Sequence, residues 1–520
     1  MNPTRRASDL PERYNAVEIL ERNLETRGDS VALFTPSRNV TFGEVSAEVN
    51  RVGNALLAFG VRPGESVAIL SLDTAEWAIS FFACLKVGAV AVGMNTLLTP
   101  REQAHILRDS GARVLLVHDA LLATARLALE DAPTIEHVVV IGGDSEASGD
   151  FMPYDAWIEG ASTELVAADT HRSDFGTLNY SSGTTGQPKG ILHAHQDYPL
   201  TAQLWGSDVL GIRMDDRTFS VAKLFFTFGL GGNLIFPWSV GASSVLFPGS
   251  PRQAADVLDG IVRFRPTILF NAPTGYASML AIDDLTERYD LSSLRIGVSA
   301  GEALPAPVWH EFKERTGLEL IDGIGSTENF HIFVSNRPGD IRAGSSGKPF
   351  SGYECRIVDQ EGASVVRGEI GNLQIKGETA ALSYLHDPAR SRQTFLGEWL
   401  HTGDKYYEDE DGYFWHAGRS DDMLKVGGVW VSPVEVESTL IEHEAVLECA
   451  VVGVSDDSDL IKPKAFVVLK DSAAASADLS AALVEHCIAR MAPYKRPRWI
   501  EFVDELPKTA TGKIQRFQLR

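Results

Sequence analysis

Tyr180-Ser-Ser-Gly-Thr-Thr-Gly-Gln-Pro-Lys-Gly190 gathers three glycines, four Ser or Thr hydroxyls and one lysine into eleven residues, directly after a predicted strand. Glycines let backbone N–H groups approach phosphate oxygens, and the hydroxyls and Lys189 supply further donors. The GxxxxGK[ST] spacing of a Walker loop is absent, so the cradle is of another kind. An ordinary surface turn would not explain Lys189 beside Pro188 in so dense a set of donors.

Around this segment, β-branched runs at Ser66 to Leu72, Ala89 to Val92, Arg113 to Val117 and His137 to Ile141 alternate with helix-like segments such as Glu76 to Val87. The alternation predicts an α/β sheet with crossover helices. Lys86-Val-Gly-Ala-Val-Ala-Val92 is echoed by Ser239-Val-Gly-Ala-Ser-Ser-Val245. Each reads as a helix end, a glycine and a strand, which suggests two related α/β halves. Small and polar stretches at Asp144 to Asp150 and Ser472 to Ser480 read as loops. Beyond Arg419 the pattern changes. Strand-like Ala445 to Val454 and Lys464 to Leu469, with helices near Pro433 to Ile441 and Leu479 to Met491, predict a separate α+β unit of about a hundred residues. Its boundary falls at the charged turn Arg419-Ser-Asp-Asp422.

Three further segments carry chemistry. In Gly323-Ile-Gly-Ser-Thr-Glu328 a hydroxyl and a carboxylate follow a glycine turn, which suits Mg²⁺ held against triphosphate oxygens. Ser326-Thr327-Glu328 equally suits a helix start with Ser326 as its cap. Asp404, after the glycine turn of His401-Thr-Gly-Asp404, is a short carboxylate able to accept both hydrogen bonds of a ribose diol. Arg419 follows the hairpin-like Asp409-Glu-Asp-Gly-Tyr413; taken alone, these two residues read as turn chemistry and a surface ion pair. Pro507-Lys-Thr-Ala-Thr-Gly-Lys-Ile514 in isolation is a solvated basic tail.

In this order the four motifs, with Gly418-Arg419, resemble those of the acyl-adenylate-forming superfamily of acyl- and aryl-CoA ligases, non-ribosomal-peptide adenylation domains and luciferases, and they run from Tyr180 to the C-terminus. The resemblance implies a large N-terminal adenylation domain of α/β subdomains, 1–420, and a small mobile α+β domain, 421–520. It implies that Ser181, Ser182, Gly183, Thr184, Thr185 and Gly186, with Lys189, hold the phosphates of ATP. It further implies that Thr327 meets the α-phosphate, Glu328 the Mg²⁺, and Asp404 and Arg419 the ribose. Lys513 would bind the carboxylate and α-phosphate during adenylation. Asp421 would be the hinge that turns the small domain for coenzyme A (CoA), with Lys425, Gly427 and Gly428 along the thiol path; two adjacent glycines otherwise suit a hairpin turn. Ile324 stands where many relatives carry an aromatic, so adenine would rest on apolar contact and backbone bonds with Gly301, Glu302 and Asp322.

The acid should lie between these motifs. Leu224-Phe-Phe-Thr-Phe-Gly-Leu-Gly-Gly-Asn233 offers three aromatics and a run of glycines, a wall for a flat apolar ring. Phe225 reads equally as core. This segment, Ala272 to Tyr276, Ser299 to Pro305, His331 to Asn336 and Asp421 to Lys425 resemble the benzoate-CoA ligase branch. That resemblance implies an acid pocket of Phe226, Thr227, Phe228, Gly229, Ala300, Gly325 and His331. Thr227 and Phe228 replace the Ala and Tyr usual there, which moves a hydroxyl along the wall. The expected substrate is benzoate carrying a hydroxyl, as in salicylate, or a similar small substituent, or an alicyclic analogue such as cyclohexanecarboxylate. A carrier-loading aryl-AMP ligase shares every nucleotide motif, but the chain ends at Arg520 without a carrier module, which favours free CoA. An oxygenase of the luciferase kind and a non-catalytic scaffold are the other classes. Lys189, Glu328, Asp404, Arg419 and Lys513 together argue for an enzyme.

Composition narrows the partners. A chain of 520 residues with net charge −23 disfavours a nucleic-acid groove or an anionic membrane surface. Cys84, Cys355, Cys449 and Cys487 lie far apart without metal-finger spacing, as in a reducing cytoplasm. Met1 to Leu10 has no apolar core of a secretory signal, and Ala75 to Met94, broken by Gly88, reads as a buried helix running into a strand. A cytoplasmic enzyme is expected, with no membrane span and a homodimer left open. His193 and His195 stand two apart on a predicted strand but lack a third zinc ligand. Ser181, Ser182 and Ser299 lack the G-x-S-x-G elbow of a hydrolase. Glu408 to Asp411 reads as a solvated hairpin tip.

Overall fold

The structure, a computed structural model, describes residues 3–142, 149–181, 188–247, 249, 253–419, 422–426, 429–456, 460–508 and 514–520, and the backbone alone of Lys425, Val429 and Trp430. Two large sheets dominate. The first runs, in spatial order, Met152–Pro153, His137–Ile141, Val114–His118, Ser66–Leu70, Val90–Gly93, Phe175–Ser181 and Lys189–Ala194. The second runs Lys348–Pro349, Ile332–Ser335, Leu320–Gly325, Ile296–Ser299, Ile268–Asn271, Arg217–Ser220, Ser243–Val245, Val31–Phe34 and Asn39–Thr41.

The expected repeat is present. Four parallel strands of the first sheet, from His137–Ile141 to Val90–Gly93, have the same order as Ile296–Ser299 to Ser243–Val245 in the second. Gly88 (φ 75°) and Gly241 (φ 76°) make the same left-handed step from helix to strand. The helices before them, Ala75–Lys86 and Phe236–Ser239, pack together through Phe82 and Trp238, stacked at 5.0 Å. Ala75 to Met94 is therefore a buried helix and strand, and among the described residues no helix is long and apolar enough to cross a membrane. All four cysteines are free.

A third sheet joins Tyr353–Val358, Gly371–Gly377, Trp399–Glu408 and Phe395–Leu396, with Phe414–Arg419 paired to Trp399–Glu408. Past it, the hairpin Leu424–Val426 and Val429–Val431 leads into Pro433–Ile441, Ala477–Ile488 and the sheet Val446–Ser455, Ile461–Leu469, Trp499–Phe502. Val431, Val436, Leu440, Val451, Val467 and Leu483 form a core of this small unit.

Two expectations need correction. Ser472 to Ser480 is not a loop throughout. Ser476 caps a helix by accepting the Leu479 N–H at 3.1 Å, so polar residues begin Ala477–Ile488. The acidic tip Glu408 to Asp411 is not merely solvated: Arg342 meets Asp411 at 2.8 Å, Arg367 meets Glu408 at 2.9 Å, and the Trp415 Nε1–H donates to Asp409 at 2.8 Å.

Candidate active site

In parallel sheets ligands collect beyond the carboxyl ends of the strands. At that edge of the second sheet, Arg217–Ser220 leads to Phe226–Gly229, Ile296–Ser299 to Ala300–Glu302, and Leu320–Gly325 to Ser326–Glu328. The first sheet approaches the same edge through the antiparallel pair Phe175–Ser181 and Lys189–Ala194, in which Ser181 faces Lys189. Ser182, Gly183, Thr184, Thr185 and Gly186 lie between them, outside the described residues, as do Lys513, Asp421, Gly427 and Gly428. The backbone of Lys425 lies in a hairpin strand.

Ser326, Thr327 and Glu328 begin a single 3₁₀ turn, Thr327–Asn329, but Ser326 makes no cap bond and its buried Oγ has no partner among the described residues. Lys189 Nζ donates to Glu328 Oε1 at 2.9 Å and to the Tyr384 hydroxyl at 2.8 Å, and that hydroxyl donates to the same Oε1 at 2.8 Å. Burial opposes the Glu328 charge, yet Lys189 and the hydrogen bonds hold the carboxyl below its ordinary range. An anionic carboxylate at a turn of hydroxyls fits Mg²⁺, which takes one or two protein carboxylates and fills its shell with phosphate and water. No cluster of three or more His, Cys, Asp or Glu ligands exists among the described residues, so the substrate's own phosphates would complete the shell.

Asp404 and Arg419 are paired residues of one hairpin, with Arg419 Nη1 donating to Asp404 Oδ1 at 2.9 Å. Burial raises the Asp404 carboxyl, but Arg419 and His416 outweigh it and hold it at about 2. Tyr406, two residues along the strand, feels the charges of both Asp404 and Asp322. Asp322 is buried, which pushes its carboxyl well above the ordinary range, and its Oδ1 has no hydrogen-bond partner among the described residues. Gly301 is exposed with φ 97°, Ile324 is half-buried against the core, and Glu302 Oε1 accepts the Ile514 N–H at 3.3 Å. That last bond brings the neighbour of Lys513 to the strand ends of the second sheet.

The segment expected to form the ring wall is helical. Thr227–Leu230, a π-turn at Gly231–Ile235 and Phe236–Ser239 form one continuous rod, and π-turns favour functional sites. A Cβ on Gly229 would sit 2.2 Å from the Lys223 carbonyl, so only glycine lets the chain start this rod so tightly. Phe228 and His331 rings lie 5.6 Å apart, and the His331 Nε2 donates to the Phe228 carbonyl at 3.3 Å. Trp205 and Phe236 enclose His331 from other sides. Burial lowers its pKa to about 3, so the ring is neutral. The carbonyl can only accept, which puts the proton on Nε2 and leaves Nδ1 a bare acceptor with no partner among the described residues. Thr227, Gly229 and Ala300 are buried, Phe226 is half-buried and Gly325 exposed. Phe225 is core, stacked edge-on against Phe226 at 4.4 Å.

Sequence spacing marks neither Tyr384 nor Tyr406, and it offers His193 only as part of an incomplete zinc ligand set. His193 and His195 do not act together: His193 Nε2 meets the Thr327 carbonyl, whereas His195 Nδ1 accepts the Ala16 N–H. Lys189 and His193 were the informative pair, because residues four apart on a strand share a face. Nothing near Tyr384 in sequence marks it. It is brought in by pairing with Ile191 and by the Leu385 N–H bond to Gly190 O.

Residues 20–385 match the family described as AMP-binding enzyme, and residues 435–513 match the AMP-binding enzyme C-terminal domain. The benzoate–CoA ligase of Thauera aromatica is 47% identical over 99% of this chain and 97% of its own length. The crystal structure of the anthranilate CoA ligase AuaEII in complex with anthranoyl-AMP superposes with a TM-score of 0.96 at 63% identity, covering 99% of this chain and 98% of that one. A benzoate CoA ligase from Burkholderia xenovorans LB400 gives 0.91 at 42% identity, over 98% of this chain and all of that one, 100%.

Proposed function

The chain belongs to the AMP-binding enzyme family, and on that premise we propose that it is an AMP-forming ligase converting 2-aminobenzoate to its CoA thioester through an acyl-adenylate. The observation that carries the choice of acid is the bare Nδ1 of His331 inside an aromatic wall. A buried acceptor without a donor is costly, and an amino or hydroxyl group on the ring supplies that donor while plain benzoate does not. The 63% identity to an anthranilate CoA ligase supports the amino group. Phe226, Thr227, Phe228, Gly229, Ala300 and Gly325 complete the pocket.

In the first step the carboxylate oxygen attacks the α-phosphorus and pyrophosphate leaves. Ser181, Thr327 and Lys189 serve the phosphates, and Glu328 is the residue that would hold Mg²⁺, which draws charge from the triphosphate oxygens. Asp404, held ionised by Arg419, accepts the ribose hydroxyls, and Asp322 Oδ1 suits the adenine amino group. Gly301, Glu302 and Ile324 line the nucleotide. Lys513 balances the charge that builds at the reacting centre. In the second step the CoA thiol attacks the carbonyl and AMP leaves, with the C-terminal domain, 421–520, turned about Asp421 so that Lys425, Gly427 and Gly428 approach the thiol. The setting is cytoplasmic, which four unpaired cysteines suit.

The test measures AMP and acyl-CoA for benzoate, its amino and hydroxy isomers, cyclohexanecarboxylate and octanoate. The expected kcat/KM for 2-aminobenzoate exceeds that for benzoate by at least about tenfold. Faster turnover of benzoate or octanoate would overturn the choice of acid. AMP-bound acid that persists with CoA present would overturn the acceptor.

A further inference from the structure

His193 has no part in the roles above, yet it is fully buried and touches the turn that carries Thr327 and Glu328. Lys189 and His193 extend from one face of their strand. Lys189 takes the Glu328 carboxylate, and the His193 Nε2–H donates to the Thr327 carbonyl at 2.7 Å. Behind the ring, Nδ1 lies 3.0 Å from Asp197 Oδ2, which also accepts the Ala194 N–H at 2.9 Å. The imidazole is thus fixed from both sides in a dry place, where such bonds are strongest.

What it fixes is strained. Phe330 has φ 66° and ψ −50°, a γ-turn conformation that a side chain with a Cβ rarely adopts, closed by the His331 N–H to Asn329 O bond at 2.8 Å. The Thr327 carbonyl accepts the Phe330 N–H at 3.0 Å as well as His193. The Phe330 ring packs edge-on against His193 and Tyr198, each at 5.2 Å. Strain of this kind persists only where the surroundings over-determine it.

We infer that His193, oriented by Asp197, is a positioning residue for adenylation: by holding the Thr327 carbonyl it keeps the Thr327 and Glu328 side chains aimed at the triphosphate. The inference rests on the proposed adenylation reaction. Wild-type ATP–pyrophosphate exchange with ring acids tests that reaction separately, and the His193 variants test the inference.

The experiment compares His193→Phe, which keeps an aromatic ring and loses the donor, with His193→Gln, which keeps a donor of similar reach. In His193→Phe the exchange rate should fall about 100-fold while KM for the ring acid stays within about threefold. His193→Gln should recover to within about tenfold of wild type. Calorimetry without turnover should show ATP binding weakened about tenfold in His193→Phe, a readout independent of the acid. Equal losses in both variants, an acid KM that rises in step with the loss, or exchange in His193→Phe within threefold of wild type would overturn the inference. If His193→Phe does not melt cooperatively, His193→Asn replaces it. Its shorter amide falls short of Thr327, so it must be at least about tenfold slower than His193→Gln, and parity between them overturns the inference.

Discussion

The two α/β halves share a strand order but finish their equivalent strands differently. Three residues past Ser66–Leu70 the first half places Asp73, and three residues past Arg217–Ser220 the second places Lys223. Each charge acts on the other. Asp73 Oδ1 accepts the Leu224 N–H at 3.1 Å, and Lys223 Nζ donates to the Phe247 and Gly249 carbonyls at 2.5 and 2.7 Å. The first half thus uses its strand end to brace the segment proposed as the ring wall, and the second half carries the residues proposed to meet the ligands. A duplicated topology supplies two equivalent edges; the residues standing on them decide which one reacts.

The sharpest way to break this contrast is to damage the two edges in turn. Glu328→Gln should lower ATP–pyrophosphate exchange about a thousandfold, whereas Asp73→Asn should leave it within about threefold. Equal losses would mean that the first edge is also part of the reaction. Gly325→Ala comes next. Its Cβ would lie 2.6 Å from the His331 carbonyl, so backbone must move where nucleotide and acid meet, and kcat/KM should drop about 100-fold.

Asp73 itself gives a stability signature. Burial raises its carboxyl to about 6, above the ordinary 3.8, against the pull of Lys223 and the Leu224 N–H. The folded chain therefore holds a proton that the unfolded chain releases. Its contribution is full below about pH 3.8 and is lost as pH rises through about 6. In urea titrations the advantage of Asp73→Asn over wild type should grow by roughly 2 kcal/mol between about pH 4 and pH 7, and a flat difference would show that the carboxyl is not strained. The smallest effect tests the repeat directly. Gly88→Ala and Gly241→Ala, both at left-handed φ, should each cost roughly 1 to 2 kcal/mol and leave the kinetics alone.

Much of this was legible in the sequence. The strands of the first sheet are β-branched runs between turns, and the two glycine steps gave away the repeat. Asp404 pairs with Arg419, and Ser326 to Glu328 enter their turn, because short motifs carry their own backbone geometry. Contacts between motifs were not legible. His193 meets Thr327 only because the two sheets abut, and Tyr384 meets Lys189 only because a segment beyond the third sheet's Gly371–Gly377 pairs with Ile191; no local pattern encodes either. The continuous rod through Gly231 was hidden because glycines disfavour helices locally, while the close approach of Phe270 and His331 to Gly232 and Gly231 requires them.

The π-turn at Gly231–Ile235 carries one residue more than an α-helix needs over the same span. Removing a single residue there, Gly232 for example, would let the rod relax to ordinary α-helix while Thr227 and Phe228 keep their facing relative to Phe236, so the change would be confined to the stretch that packs against Phe270 and His331. Pocket shape in this protein can therefore change by deletion as well as by substitution. A one-codon deletion library across this turn would sample walls that no point mutation reaches.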